Sequence, residues 1–216
     1  MFCSLPAYSL VDDSPELWVV SAGRPMSVET TINPQQLRAG APFTVSCLAV
    51  DAFGNTTPAE DAGVFISPTG SFVFSPQPNQ YEITRAGVFE VTCTLPGVYD
   101  DVVNVTVEPG ALSEVQANLE PQRAAYQIGE LVEVRWSGLD AFGNEITNGL
   151  SITLNGGNAA EVVGESRVRF NQPGEQTLEI TVSDGSSEVV TTLSIRIDAG
   201  APSVEWLEPF FGEQLR

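Results

Sequence analysis

The chain has 216 residues, with 28 Asp and Glu set against 9 basic residues, for a formal net charge of −19. All nine bases are Arg, and there is no Lys and no His. Such a surface repels phosphate backbones and anionic lipid, which argues against nucleic-acid binding and direct membrane insertion, while the lack of His removes Ser-His and Cys-His pairs and histidine metal ligands.

In chain order, the first segment gains its meaning from a match to a later one. Phe2-Cys3-Ser4-Leu5-Pro6 lines up with Thr92-Cys93-Thr94-Leu95-Pro96, so residues 1–25 read as the closing strands of a preceding domain, truncated here. Nothing in Met1-Phe2-Cys3-Ser4-Leu5-Pro6 has the basic start and apolar run of a signal peptide, so an export signal is expected outside this piece.

Residues 26–110 form a first complete repeat. Phe43, Val45, Cys47 and Ala49 alternate with polar residues, as do Phe89, Val91, Cys93 and Leu95, which places both cysteines on a core-facing side. Further strands are predicted over 27–32, 63–67, 71–74, 81–84 and 102–107, separated by Pro, Gly, Asn and Asp clusters. Seven short strands without helical periodicity predict a two-sheet antiparallel sandwich.

Residues 111–200 repeat the pattern. Asp51-Ala52-Phe53-Gly54-Asn55 returns 89 residues later as Asp140-Ala141-Phe142-Gly143-Asn144, each time after an alternating strand, and Gly23, Gly110 and Gly200 mark a period of 87 to 90 residues. Val132, Val134 and Trp136 alternate in the early strand, and Leu178, Ile180 and Val182 in the late one. The negative charge is spread evenly, with 9 acids and 2 Arg in 26–110 and 13 acids and 5 Arg in 111–200. Residues 201–216 match the opening strand of a further, truncated repeat.

Counting from the shared motif puts Trp136 at the place of Cys47, and counting from Gly87 and Gly174 puts Ile180 at the place of Cys93. The two positions change together between repeats, as neighbours would, so a Cys47–Cys93 disulfide and an oxidising compartment are expected. Two buried reduced thiols are the other reading. Cys3, equivalent to Cys93, is expected to be unpaired in this piece.

These features resemble the tandem bacterial immunoglobulin-like domains of invasin- and intimin-type surface proteins. The resemblance rests on the strand followed by Asp-x-Phe-Gly-Asn, the late strand opened by glycine in Gly87-Val88-Phe89-Glu90-Val91-Thr92, and the Pro-Gly or Ala-Gly link between repeats. It implies an all-β chain of tandem immunoglobulin-like antiparallel sandwiches, exported to the cell surface or medium. It implies partners among neighbouring domains of the same chain, with a host or cell-surface protein or glycan bound by distal domains. The antibody hallmarks are missing, since Val91 rather than Tyr stands two residues before Cys93, and a fibronectin-type or filamin-like variant of the topology is the other reading.

Chemistry finds few candidates. Asp51–Asn55 and Asp140–Asn144 offer oxygen ligands for calcium, but Asp and Gly at these spacings also satisfy a tight turn, with Phe tucked over the sandwich end. The turn is the expected role, and no metal or cofactor is called for. No Gly-x-Ser-x-Gly, phosphate loop or dinucleotide fingerprint occurs, so no catalytic residue is assigned. Of three tryptophans, Trp136 is expected in the core and Trp18 and Trp206 near domain junctions, which leaves no aromatic platform for sugar. The function expected is a non-catalytic structural or adhesive spacer whose Pro- and Gly-containing links give a semi-rigid array. A protein- or glycan-binding module and an accessory domain of a secreted enzyme are the alternatives.

Overall fold

The computed structural model describes residues 4–5, 10–11 and 21–200. Cys3, Trp18, Trp206 and the segment 201–216 lie outside the described residues. Strands β1 (Ser4–Leu5) and β2 (Leu10–Val11) pair antiparallel, Ser4 opposite Val11 and Leu5 opposite Leu10. The chain divides into two units, Met1–Glu108 and Pro109–Arg216.

In the first unit, β3 (Pro25–Asn33) and β4 (Gln36–Arg38) flank a cis Asn33–Pro34 bond and belong to different sheets. There follow β5 (Pro42–Asp51), β6 (Thr56–Pro58), β7 (Gly63–Ser67), β8 (Val73–Gln77), β9 (Gln80–Ile83), β10 (Gly87–Leu95), β11 (Val98–Tyr99) and β12 (Val103–Glu108). One sheet runs β3-β5-β9-β8 with β6 alongside β5, and the other has β10 at its centre, between β7 and the β11, β12 and β4 side. The alternating apolar residues point between the sheets: Val28, Ile32, Phe43 and Val45 meet Ile83, Phe89, Val91, Val105 and Val107 in one buried cluster. Area removed from water at these positions supplies the main stabilising term, about 25 cal/mol per Å².

The second unit has β13 (Leu112–Glu120), β14 (Tyr126–Gln127), β15 (Leu131–Asp140), β16 (Glu145–Ile146), β17 (Ser151–Asn155), β18 (Ala160–Val163), β19 (Arg167–Phe170), β20 (Gly174–Ser183) and β21 (Glu188–Asp198). Its sheets, β13-β15-β19-β18 and β14-β21-β20-β17, repeat the order of the first unit, including a cis bond at Glu120–Pro121 and a parallel pairing of the short β14 with the last strand. Val132, Val134, Phe170, Leu178, Ile180, Val182 and Ile197 form its core. Both units are immunoglobulin-like antiparallel β-sandwiches.

Three features differ from the sequence reading, the first two for local reasons. The strand expected over 71–74 begins at Val73, because Val73 N–H returns to the Gly70 carbonyl in a turn and Phe72 packs on Phe89 with Arg85 over its ring. The strand expected over 102–107 is preceded by the separate β11, interrupted where the Asp100 carboxylate accepts the Thr30 N–H of β3. Trp136 is only half-buried, packing one side against the core cluster.

Candidate functional site

Across both units the repeated feature with the most specific geometry is the Asp-Ala-Phe-Gly-Asn turn. It is held by its first residue. Asp51 ends β5 and is 7% exposed; its Oδ1 accepts N–H bonds from Phe53 at 2.8 Å and Asn55 at 2.9 Å. Its Oδ2 accepts from the Asn55 side-chain amide at 2.9 Å and from the N–H of Gly23, 28 residues earlier, at 2.8 Å. Gly54, at φ 80°, lets the backbone reverse, and the Gly54 N–H and Asn55 carbonyl pair with the Asp51 backbone at 3.1 and 3.0 Å.

The second unit reproduces this arrangement to within about a tenth of an ångström. Asp140, 3% exposed, takes Phe142 and Asn144 N–H on Oδ1 at 2.8 and 2.9 Å, and the Asn144 amide and Gly110 N–H on Oδ2 at 2.8 and 2.7 Å. Glycine lets the lead-in lie close to the carboxylate: a Cβ on Gly110 would sit 3.3 Å from the Asp140 oxygen, a tight contact, and one on Gly23 would touch the Asp51 oxygen at 3.4 Å. The motif is thus a clamp that fixes where the chain leads into each sandwich. In the second unit the neighbouring hairpin is tied in as well, since Asp184 accepts the N–H groups of Ser186, Ser187 and Leu112.

Electrostatics follow from these bonds. The Asn55 amide and the Gly23 N–H stabilise the charged form of Asp51 and hold it well below the usual carboxylate range, burial opposing them. At Asp140 burial pushes upward, but the Asn144 and Gly110 donors outweigh it and the net direction is down. Asp184 is lowered by the Ser187, Ser186 and Leu112 N–H groups. With two donors on each oxygen, the clamp carboxylates have their approximately four lone-pair directions occupied by the protein itself.

The expectation that the motif's Phe tucks over the sandwich end is corrected: Phe53 is 89% exposed and Phe142 52%. The carboxylate bonds, the backbone pairing and the glycine at positive φ shape the turn without the ring, which projects. Cys47 and Cys93 are bonded to each other, with Cα atoms 5.8 Å apart, and link the two sheets of the first unit. At the corresponding places, Ile180 is fully buried in the second core and Trp136 packs against it from the rim. Missed in sequence were the lead-in contacts of Gly23 and Gly110, although both glycines stood out as landmarks of the period. Among the described residues, no three His, Cys, Asp or Glu side chains converge as metal ligands.

Fold and clamp together define the class: serial immunoglobulin-like sandwiches in which each unit fixes its own lead-in strand. No protein-family model matches the chain, and no curated protein matches it in sequence. Among solved structures the fold is similar to that of invasin, a bacterial integrin-binding protein, at 15% identity over 79% of this chain and 40% of that one, with a TM-score of 0.50. It is also similar to the Escherichia coli adhesin FdeC (16% identity, 79% of this chain, 64% of that chain, TM-score 0.48). The Yersinia pseudotuberculosis adhesin InvE is a further match (12% identity, 78% and 58% covered, TM-score 0.37). This chain spans less than two thirds of each of these. At such identities the likeness is one of fold.

Proposed function

We propose that this chain is a non-catalytic structural or adhesive spacer within a larger exported bacterial surface protein, carrying immunoglobulin-like units in series. The observation that supports this best is the duplicated clamp. A carboxylate that spends four hydrogen bonds on its own turn and on the lead-in glycine serves chain geometry rather than a reaction or a bound ion. Units of this kind keep the polypeptide path the same each time the fold is repeated, as an array needs. In this reading the domain limits are 1–25, 26–110, 111–200 and 201–216, Cys3 is unpaired here, no metal or cofactor is used, and distal domains contact a host or cell-surface protein or glycan.

The test is a replacement. Exchanging residues 23–198 in the parent surface protein for two unrelated immunoglobulin-like sandwiches of equal number is expected to leave adhesion and surface display intact. Loss of adhesion with display retained would instead make this chain the binding module. One observation favours that second reading, the aromatic sheet face of the first unit.

A further inference from the structure

The outer face of the β7-β10-β11 sheet in the first unit carries side chains that its fold does not need. Phe65 on β7 stands opposite Thr92, and Thr94 stands between Gly63 on one side and Tyr99 on the other. Residues paired across a sheet share a face, so Phe65, Thr92, Thr94 and Tyr99 all point away from the core that Cys93, Val91 and Ile66 fill. Phe65 is 55% exposed and Tyr99 75%. Two strand spacings separate β7 from β11, about 10 Å. Thr92 and Thr94 of β10 lie between them, and on β7 Gly63 leaves the space beside Phe65 open, where a Cβ would press on the Thr94 hydroxyl at 3.1 Å.

The polar groups of this floor face outward as acceptors. Thr94 donates its hydroxyl proton to the Gly63 carbonyl and Thr92 its own to the Asp100 carbonyl, each at 3.3 Å, which leaves hydroxyl lone pairs toward solvent. Glu90, exposed on the same face of β10, adds a carboxylate, and the exposed Asp101 another two residues beyond Tyr99. The corresponding positions of the second unit are Thr153 for Gly63, Asn155 for Phe65, Glu179 for Thr92 and Thr181 for Thr94, with Val190 paired to Thr181 where Tyr99 pairs to Thr94, and no aromatic ring is among them. The same fold therefore stands without Phe65 and Tyr99.

From this arrangement we infer that the Phe65–Tyr99 face binds a protein segment bearing Arg or Lys. Both side chains donate several hydrogen bonds and accept none, so they match an acceptor floor. They are also the cations that aromatic rings attract, and a chain of net charge −19 draws them from a basic partner rather than from a second copy of itself, which it repels. Exposed aromatics ringed by polar groups are what the centres of protein interfaces are made of. A sugar would ask the floor for donors as well as acceptors. The spacer reading neither needs nor excludes this surface.

The test uses the whole 216-residue chain, isotope-labelled for amide chemical-shift mapping, and three probes: the peptide Gly-Arg-Thr-Arg-Thr-Arg-Gly, its citrulline counterpart and cellotetraose. The arginine peptide is expected to shift Gly63, Phe65, Thr92, Thr94 and Tyr99 saturably, leaving Thr153, Asn155, Glu179 and Thr181 in place. The citrulline peptide is expected to bind at least tenfold more weakly, as is the arginine peptide to the double variant Phe65→Ser/Tyr99→Ser. That variant should melt like the parent, because both rings are exposed. Equal shifts in the two units, or undiminished binding by the double variant, would overturn the inference in favour of unspecific attraction to acid. Shifts from cellotetraose alone would make the face a glycan surface, and no shift from any probe would remove it as a site.

Discussion

Asp140 is a small residue with four obligations, and its replacement tests the clamp directly. Asp140→Ala leaves the Gly110, Phe142 and Asn144 donors without their acceptor and is expected to destabilise the second unit by about 2–3 kcal/mol, read by thermal unfolding and by faster exchange of the Gly110 amide. Phe142→Ser, by contrast, touches a ring that is half in water and should cost less than about 0.5 kcal/mol. An equal cost for the two would mean that the ring, not the carboxylate, holds the turn. Calcium in the millimolar range, at matched ionic strength, should leave the melting temperature unchanged, since an ion would have to displace four N–H donors; a rise specific to calcium would refute the turn role. Acid acts on the same groups. Asp51, Asp140 and Asp184 titrate lower folded than unfolded, so the stability they lend is complete above the ordinary carboxylate value of about 4 and is lost as pH falls through their lowered values. Melting temperature is therefore expected to drop only below about pH 4, and a chain melting equally at pH 7 and pH 2 would contradict the role of these three carboxylates.

Strands were readable where alternation was long. Phe43 through Ala49 and Leu178 through Val182 declare a buried face every second residue, and β5 and β20 lie where that pattern puts them. The short strands β4, β6 and β11, of two or three residues, carry too few side chains for a period, and their pairing is decided by partners far along the chain. The clamp was half legible. Asp and Gly announced a turn, but the bond from Asp51 to Gly23 spans 28 residues, and no local rule connects them. Exposure of Phe53 and Phe142 was illegible for a related reason, because a ring at a sandwich end packs only if the backbone turn brings it inward, and here hydrogen bonds close the turn first. At this scale the sheet-to-sheet bridge makes its own prediction. A Cys47→Ala/Cys93→Ala chain loses the cross-link closing a 46-residue separation and is expected to lose about 4 kcal/mol on the chain-entropy estimate, with the second unit's transition unchanged. Equal losses in both transitions would show that the two units do not unfold separately.

For the molecule as a whole, the two units are alike in topology and unlike in what joins their sheets. Peptide mapping under non-reducing conditions is expected to recover Cys47 joined to Cys93 and Cys3 alone, and a Cys3 peptide joined to either would overturn the assignment of 1–25 to a preceding domain. Every cysteine of the chain lies at or before position 93, so the second sandwich has no covalent tie between its sheets. Under tension the difference becomes one of length. A chain pulled from both ends can draw the second unit out along its whole contour, whereas in the first the segment between Cys47 and Cys93 bears no load while the bridge is closed. At 3.3–3.6 Å per residue, that withholds roughly 150 Å of extension, which a reductant should release in a single-molecule pull and oxidation should take back. Serial sandwiches with and without such a bridge would then yield by different lengths under the same force, so that the number of closed bridges sets how far a stretched array can lengthen before it breaks.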